Sequence, residues 1–247
     1  MRAHREGMFI VDPGTLDAPT FDLVTVNYHQ VEVSLFNVQD QDYDHSIWGR
    51  QANRSKKARH EQTPHEMIGS VGVLISKQVV KVQGYTDDQA ITTHINLSEA
   101  LGKATKGEKF GHIAIVVDVC KDDFKKSHYN EWRARPRIAA WIQVTDLGVD
   151  VFNNDAELVS QCFVSSLRTG KPMSGAKATL RDATGVSDDS GMLSLANETK
   201  DRNNVNTMIV RHGNQSVILP NIRAISKRNI CQAKFYVVDD RQLYKPG

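Results

Sequence analysis

Apolar and polar residues alternate along much of this chain with the period of two that marks half-buried strands. Val31-Glu32-Val33-Ser34-Leu35 is the plainest stretch of this kind. Leu23-Val24-Thr25-Val26 precedes it with its apolar residues on the opposite parity, so a turn or bulge near His29-Gln30 must separate the two faces. Segments 72–82, 90–97 and 112–119 are rich in Val, Ile and Thr and predict further strands. Residues 40–64 are polar, charged and without either period; they read as a long loop holding at most one helical turn. Ser98-Glu99-Ala100-Leu101 predicts the start of a short helix that Gly102 ends. Charges crowd 121–136, and Pro136 cannot sit in a central strand, so this stretch reads as a linker.

Beyond it the rhythm tightens. Short strands are predicted at 138–144, 149–152, 157–166, 176–181, 191–195, 207–211, 215–219 and 232–238. Turn residues divide them at Asn153-Asn154-Asp155, Thr169-Gly170-Lys171-Pro172, Asp188-Asp189-Ser190-Gly191 and His212-Gly213-Asn214. Many short strands with such turns predict a β-sandwich, and no helical period runs between 138 and 238. Its expected hydrophobic centre is Trp141, Val144, Val159, Phe163, Leu180, Leu195, Ile209 and Ile218.

Composition adds little against this. The 247 residues suffice for two ordinary domains, and 40% hydrophobic with 24% charged residues is the balance of a globular chain. A net charge of +2, with the two signs well mixed, gives no electrostatic case for nucleic acid or an anionic membrane as partner. The one basic cluster, 50–59, has no aromatic neighbours and reads as a solvated loop. Residues 1–20 lack the apolar core of a signal peptide, and no run approaches the length of a membrane span.

Two signatures carry more. One is Trp141-Ile142-Gln143-Val144-Thr145-Asp146-Leu147-Gly148; the other is Val238-Asp239-Asp240-Arg241-Gln242-Leu243-Tyr244-Lys245-Pro246-Gly247, at the end of the chain. Together they resemble the bacterial alpha-2-macroglobulin family, in which W-x-Q-V-T-D-L-G opens one macroglobulin-type sandwich and D-R-x-L-Y-R-P-G the next. Lys245 stands where that pattern has Arg. Between them, Leu167 to Ala176 is similar to the family's S-L-x-T-G-K-P-V-x-G-A hairpin, Ser187-Asp188-Asp189-Ser190-Gly191 to its T-D-x-x-G turn, and the hairpin at His212-Gly213-Asn214 to its x-G-x-D turn. The order and spacing match throughout 141–247. For 20–136 the resemblance is positional only.

The expected architecture is therefore all-β: two macroglobulin-type (fibronectin- or immunoglobulin-like) antiparallel sandwiches in tandem plus the first strand of a third. The expected divisions are a disordered or linker remnant at 1–19, sandwiches at 20–136 and 137–235, and the truncated start of a third domain at 236–247. The resemblance implies a scaffold segment of an endopeptidase inhibitor that traps proteases, without catalytic residues or cofactors of its own. It also implies a periplasmic or cell-envelope location, often with a lipid anchor, and a bait segment and thioester elsewhere in a longer protein. Implied partners are neighbouring macroglobulin domains, target proteases through the full-length protein, and a penicillin-binding peptidoglycan synthase. The alternative from another class is a cell-surface adhesion or binding module built from sandwiches; it would be expected to show tandem repeats, and 20–136 and 137–235 share none.

Candidate chemistry is thin. His60-Glu61-Gln62-Thr63-Pro64-His65-Glu66 superficially resembles a zinc-protease helix, but its histidines are five apart and Pro64 breaks the helix, so no metal is expected there. Gly170-Lys171 lacks the earlier glycine of a phosphate loop, and Pro172 stands where Ser or Thr is required. Asp182, Asp188 and Asp189 near Gly191 do not form the D-x-D-x-D-G calcium pattern. Cys120, Cys162 and Cys231 have neither zinc spacing nor the C-x-E-Q setting of the family's thioester; three free thiols, or one disulfide and one thiol, are the alternatives. The sequons at Asn53, Asn96, Asn197 and Asn214 bear weight only in a eukaryotic secretory host. No catalytic, cofactor-binding or metal residue is assigned.

Overall fold

The computed structural model describes residues 2–3, 7–11, 19–46, 64–104, 110–120, 137–199 and 205–226. Strands β1 (Arg2–Ala3), β2 (Gly7–Val11), β3 (Thr20–Val26) and β4 (Gln30–Val38) come first. A 3-10 turn at Asp40–His45 and helix α1 (Pro64–Gly69) follow, then β5 (Val73–Lys81), β6 (Ala90–Asn96), α2 (Ser98–Ala104), β7 (Gly111–Val119) and β8 (Arg137–Val144). The rest is all strand: β9 (Leu147–Asn154), β10 (Val159–Ser166), β11 (Lys177–Leu180), β12 (Ala183–Val186), β13 (Met192–Ala196), β14 (Val205–His212) and β15 (Gln215–Arg223).

These make two sandwiches. In the first, the sheet β1-β3-β6 lies against the sheet β2-β8-β7-β4-β5. Phe21, Leu23 and Ile95 from one face meet Val31, Val33, Leu35, Ile113, Ile115, Val117, Ile138, Ala140 and Ile142 from the other. Helix α2 adds Ala100 and Leu101 to this core. Within β3 the inward positions are Phe21, Leu23 and Thr25, so Val24 and Val26 face outward and the parity expected from the sequence is corrected. Immediately after β3, Asn27 takes φ 60° and its side chain hydrogen-bonds the backbone N–H and carboxylate of Asp88, in the β5–β6 connection.

In the second sandwich, the sheet β13-β10-β9 packs on the sheet β12-β11-β14-β15. Leu147, Cys162, Val164, Leu180, Leu195, Met208, Val210 and Val217 fill it. The turn before β13 needs its glycine: Gly191 has φ +76°, and a Cβ there would stand 2.5 Å from the Val164 carbonyl oxygen. The all-β tandem sandwich is thus the fold; among the described strands β2 pairs with β8 in parallel, and the other ladders are antiparallel.

Three further expectations change. Residues 137–144, expected to open the second sandwich, form β8 in the first, between β7 and β2. Residues 1–19, expected to be linker or disorder, contain β2, whose Gly-Met-Phe-Ile-Val run pairs with 140–144. Phe163 and Val159, expected in the core, are only half-buried, because β10 turns Ser160, Cys162, Val164 and Ser166 inward. The serines win that face by hydrogen bonding: Ser160 Oγ donates to Asn153 Oδ1 at 2.7 Å, and Ser166 Oγ donates to Asp146 Oδ2 at 2.8 Å. Residues 121–136, Cys231 and the start of a third domain at 236–247 lie outside the described residues.

Candidate functional site

Strand β8 has two buried faces, and that makes a joint. Ile138, Ala140, Ile142 and Val144 point into the first core, while Trp141 and Gln143 point the other way, under the β14–β15 hairpin of the second sandwich. The alternation of β14 and β15 supplies the opposite half. Met208, Val210 and Val217 face their own core, leaving Thr207, Ile209, Arg211, Ser216 and Ile218 for the joint. Trp141 is fully buried there among Phe36, Val38, Tyr43, Ala114, Val116, Ile68 and Ile218. The Tyr43 ring meets it edge-on at 5.5 Å.

Each polar member of the joint has a defined partner. Gln143 acts as a backbone clamp: its Oε1 accepts from the Ile218 N–H at 2.6 Å and its Nε2 donates to the Ile218 carbonyl at 3.1 Å. The connection from β8 to β9 is only Thr145 and Asp146. Gln215 Oε1 accepts from Thr145 Oγ1 at 3.0 Å and from the Asp146 N–H at 2.8 Å, and Thr145 Oγ1 accepts from the Leu147 N–H at 3.1 Å. Asp146 also accepts from Ser166 and from the Arg168 N–H. Gly148 leaves room for Leu167, whose Cδ2 would lie 2.9 Å from a Cβ. The eight residues of 141–148 are therefore a hinge-free splice, with Val144 in one core and Leu147, three residues on, in the other.

A hydrogen-bond chain crosses the joint beside Trp141. The indole N–H can only donate, so His112 Nδ1 accepts from it at 3.1 Å, and the Nε2–H of His112 donates to Ser216 Oγ at 2.8 Å. Ser216 in turn hydrogen-bonds the Asp40 carboxylate. Arg211 closes the chain with a fork on Asp40, Nε at 2.7 Å and Nη2 at 2.8 Å. Burial, with Arg211 nearby, pulls His112 down to about 4, against the attraction of Asp40, so the ring is neutral near pH 7. Burial pushes Asp40 up, but hydrogen bonds from Arg211 and Ser216 outweigh it and hold the carboxyl below its usual value. Burial also pushes the Tyr43 phenol up to about 12. Among the residues of the joint, Trp141, Ile209 and Ile218 stood in the sequence as core of the second sandwich, and all three serve between the sandwiches instead. The signal that could have found Gln143 and His112 is a polar side chain at a buried slot of an otherwise apolar strand.

The remaining sequence candidates are turn and core residues. Asp188 Oδ1 accepts from the N–H groups of Ser190 and Met192 and from Ser190 Oγ, which builds the turn and lowers its pKa. Asp189 accepts from Ser174, and Asp182 lies exposed. Gly170 takes φ 67° and donates its N–H to the Ser166 carbonyl, a plain hairpin turn. Cys120 and Cys162 are both buried, and burial pushes the Cys162 thiol up to about 11. Asn197 is wholly buried, with its Nδ2 donating to Ser160 Oγ and the Arg223 carbonyl. His60 and Asn53 lie outside the described residues.

One cluster was not legible. His65, from α1, sits over the sheet with Nε2 at 3.0 Å from Ser34 Oγ and Nδ1 at 3.1 Å from Asp118 Oδ2. Glu32 is the cross-strand partner of Asp118, and its carboxylate joins the group. The order Ser–His–Asp resembles that of a hydrolase, but Ser34 is wholly buried in the middle of a strand paired on both sides. Its Oγ has no seat for a carbonyl substrate, and its backbone lies within the two ladders rather than in an oxyanion hole.

No family model and no curated protein matches the sequence. Solved structures do match the fold. The chain superposes on the native alpha-2-macroglobulin from Escherichia coli spanning domains NIE-MG1 with TM-score 0.58 at 16% identity, covering 87% of this chain and 93% of that one. Against the fragment spanning MG0-NIE-MG1 the TM-score is 0.56 at 15% identity, with 81% and 58% covered. Against the trypsin-activated alpha-2-macroglobulin from Escherichia coli it is 0.51 at 16% identity, covering 88% of this chain but 13% of that one. The chain therefore shares the fold of a two-domain stretch of bacterial alpha-2-macroglobulin, about an eighth of the length of the whole protein.

Proposed function

We propose that this chain is a scaffold segment of a bacterial alpha-2-macroglobulin-like protease trap, with no catalytic role of its own. The observation that carries the reading is the joint: the motif at 141–148 holds two sandwiches together through a buried Trp, a backbone clamp and a crossing hydrogen-bond chain. Such a joint transmits a change of position from one sandwich to the next. In a trap, cleavage of a bait segment elsewhere would move these domains as one piece to enclose the protease. The E. coli alpha-2-macroglobulin of the same fold was solved in a trypsin-activated form, which supports a protease as the agent met by the complete protein. The implied setting is the periplasm or cell envelope, the implied partners are neighbouring macroglobulin domains, and proteases are met through the complete protein. A peptidoglycan synthase as partner finds no support in this fold and is no part of the reading.

The test has two arms. Spin labels placed on β12 and β5, one in each sandwich, should give a single narrow distance distribution, and Gln143→Ala should broaden it. The chain alone should leave protease activity on large and small substrates unchanged. A broad distribution in the wild type would remove the mechanical role. Slowed cleavage of large substrates only, by this chain alone, would contradict the scaffold reading.

A further inference from the structure

We infer that Glu32, His65 and Asp118 form a binding site for a borderline divalent transition ion of the Zn2+ class, with the Lys77 ammonium as its resident competitor. The inference is independent of the protease-trap reading. It starts from a conflict in the sheet. Glu32 on β4 and Asp118 on β7 are direct cross-strand partners, a like-charge pairing that destabilises a sheet unless a cation sits between or beside the two groups. The Asp118 side chain is 3% exposed, so cations rather than water offset the pairing: Arg137 at Asp118 and the half-exposed Lys77 at Glu32.

The surrounding groups hold the donors as a metal site would. Arg137, the cross-strand partner of Asp118 on the other side, donates Nε to Oδ1 at 2.7 Å, and Oδ2 faces His65. His65 reaches the same oxygen with Nδ1 at 3.1 Å, and one ligand atom from each of the three residues lies within 4.8 Å of the others. Zinc bonds of about 2.0–2.2 Å ask for ligand separations of roughly 3.3–3.5 Å in a tetrahedron, so the side chains need only small rotations. The second ring nitrogen, Nε2, already has Ser34 Oγ at 3.0 Å, the outer partner that fixes the orientation of a ligating imidazole. Without the ion, Nδ1–H donates to Asp118 and the Ser34 hydroxyl donates to Nε2. With it, the ring proton sits on Nε2 and donates to Ser34, freeing the Nδ1 lone pair for the ion.

Lys77 Nζ lies 3.1 Å from Glu32 on a half-exposed side chain, so it can swing into water and yield Glu32 to the ion. One imidazole nitrogen with two carboxylates suits Zn2+ or Co2+ better than Mg2+ or Ca2+, which favour all-oxygen shells. Three protein ligands leave a further position for water.

The experiment titrates the full chain with Co2+, followed by visible d–d absorption, and with Zn2+ by calorimetry. One equivalent should bind with a micromolar or tighter Kd, and Mg2+ should not compete. His65→Ala and Glu32→Gln are only partly buried positions and should fold normally by circular dichroism, yet each should weaken Zn2+ binding at least about tenfold. Ser34→Ala should weaken it by about tenfold, the usual scale for an outer-shell partner. Lys77→Met should tighten it. His94→Ala, which removes the exposed His94–Asp22 pair on the other sheet, should change nothing. Absence of stoichiometric binding, wild-type affinity in both His65→Ala and Glu32→Gln, or loss of binding in His94→Ala would each overturn the site.

Discussion

Acidification should loosen the joint through His112, and the size of the effect can be worked out. The ring is buried and neutral, with its folded value near 4 against an ordinary 6.5. A histidine depressed in this way adds stability that is complete above the unfolded value and is lost as pH falls toward the folded one, because the unfolded chain takes up the proton first. A fall from 6.5 to about 4 corresponds to about 3 kcal/mol, most of it gone by pH 4.5. Asp40 acts in the same direction but lower, losing its contribution only as pH drops below its ordinary 3.8. The assay is urea unfolding near pH 7 and near pH 4.5 for the wild type and for His112→Gln. The Gln amide oxygen can still accept from Trp141 and its nitrogen donate to Ser216, but it does not titrate. Other carboxylates contribute equally to both proteins, so the variant should lose about 2 kcal/mol less than the wild type over this interval. Equal losses, within about 0.5 kcal/mol, would show that His112 is not held neutral by the joint.

Gln143→Ala should cost about 2–4 kcal/mol in chemical denaturation, because it strands the buried N–H and carbonyl of Ile218 at once; a loss under about 1 kcal/mol would mean the clamp carries little. Val164→Ala should destabilise by about 1–3 kcal/mol and more than Phe163→Ala, since only Val164 faces the second core; the reverse order in thermal melts would contradict the strand parity described for β10. Cys162 should resist thiol reagents in the folded protein, with burial holding its thiol up near 11. In denaturant all three cysteines should titrate, and a count of one would reveal a disulfide to Cys231.

Much of the fold was legible because alternation and turn chemistry are local. The hairpin turns at Gly170, Gly191 and Gly213 all take positive φ, as their neighbours in the sequence suggested. What alternation cannot disclose is which sheet a strand joins when both of its faces are apolar. Strand β8 has Ile138, Ala140 and Ile142 on one side and Trp141 on the other, so its pattern fits either sandwich, and only pairing with β7 and β2 decides. Parity failed in β10 for a different reason: Ser160 and Ser166 are buried by hydrogen bonds that depend on Asn153 and Asp146, residues on another strand and a connection. The motif at 141–148 was readable as a signature, whereas its work as a joint required Gln215, Ser216 and Ile218, about seventy residues away. His65 was judged by its spacing to His60 and by Pro64, whereas its neighbours Glu32, Ser34 and Asp118 come from two distant strands.

The parallel pairing of β2 with β8 sets an order of events during synthesis. Gly7–Val11 is synthesised well before its partners at 140–144, with the greater part of the first sandwich made in between. Until then Met8, Phe9, Ile10 and Val11 form a nascent strand without a ladder, the kind of segment that pairs with whatever edge it meets. Once β8 docks on β7, the waiting strand can seal the rim of the sheet, and the same β8 presents Trp141 to the hairpin still to come. Completion of the first sandwich and preparation of the second are thus one step in the growth of the chain.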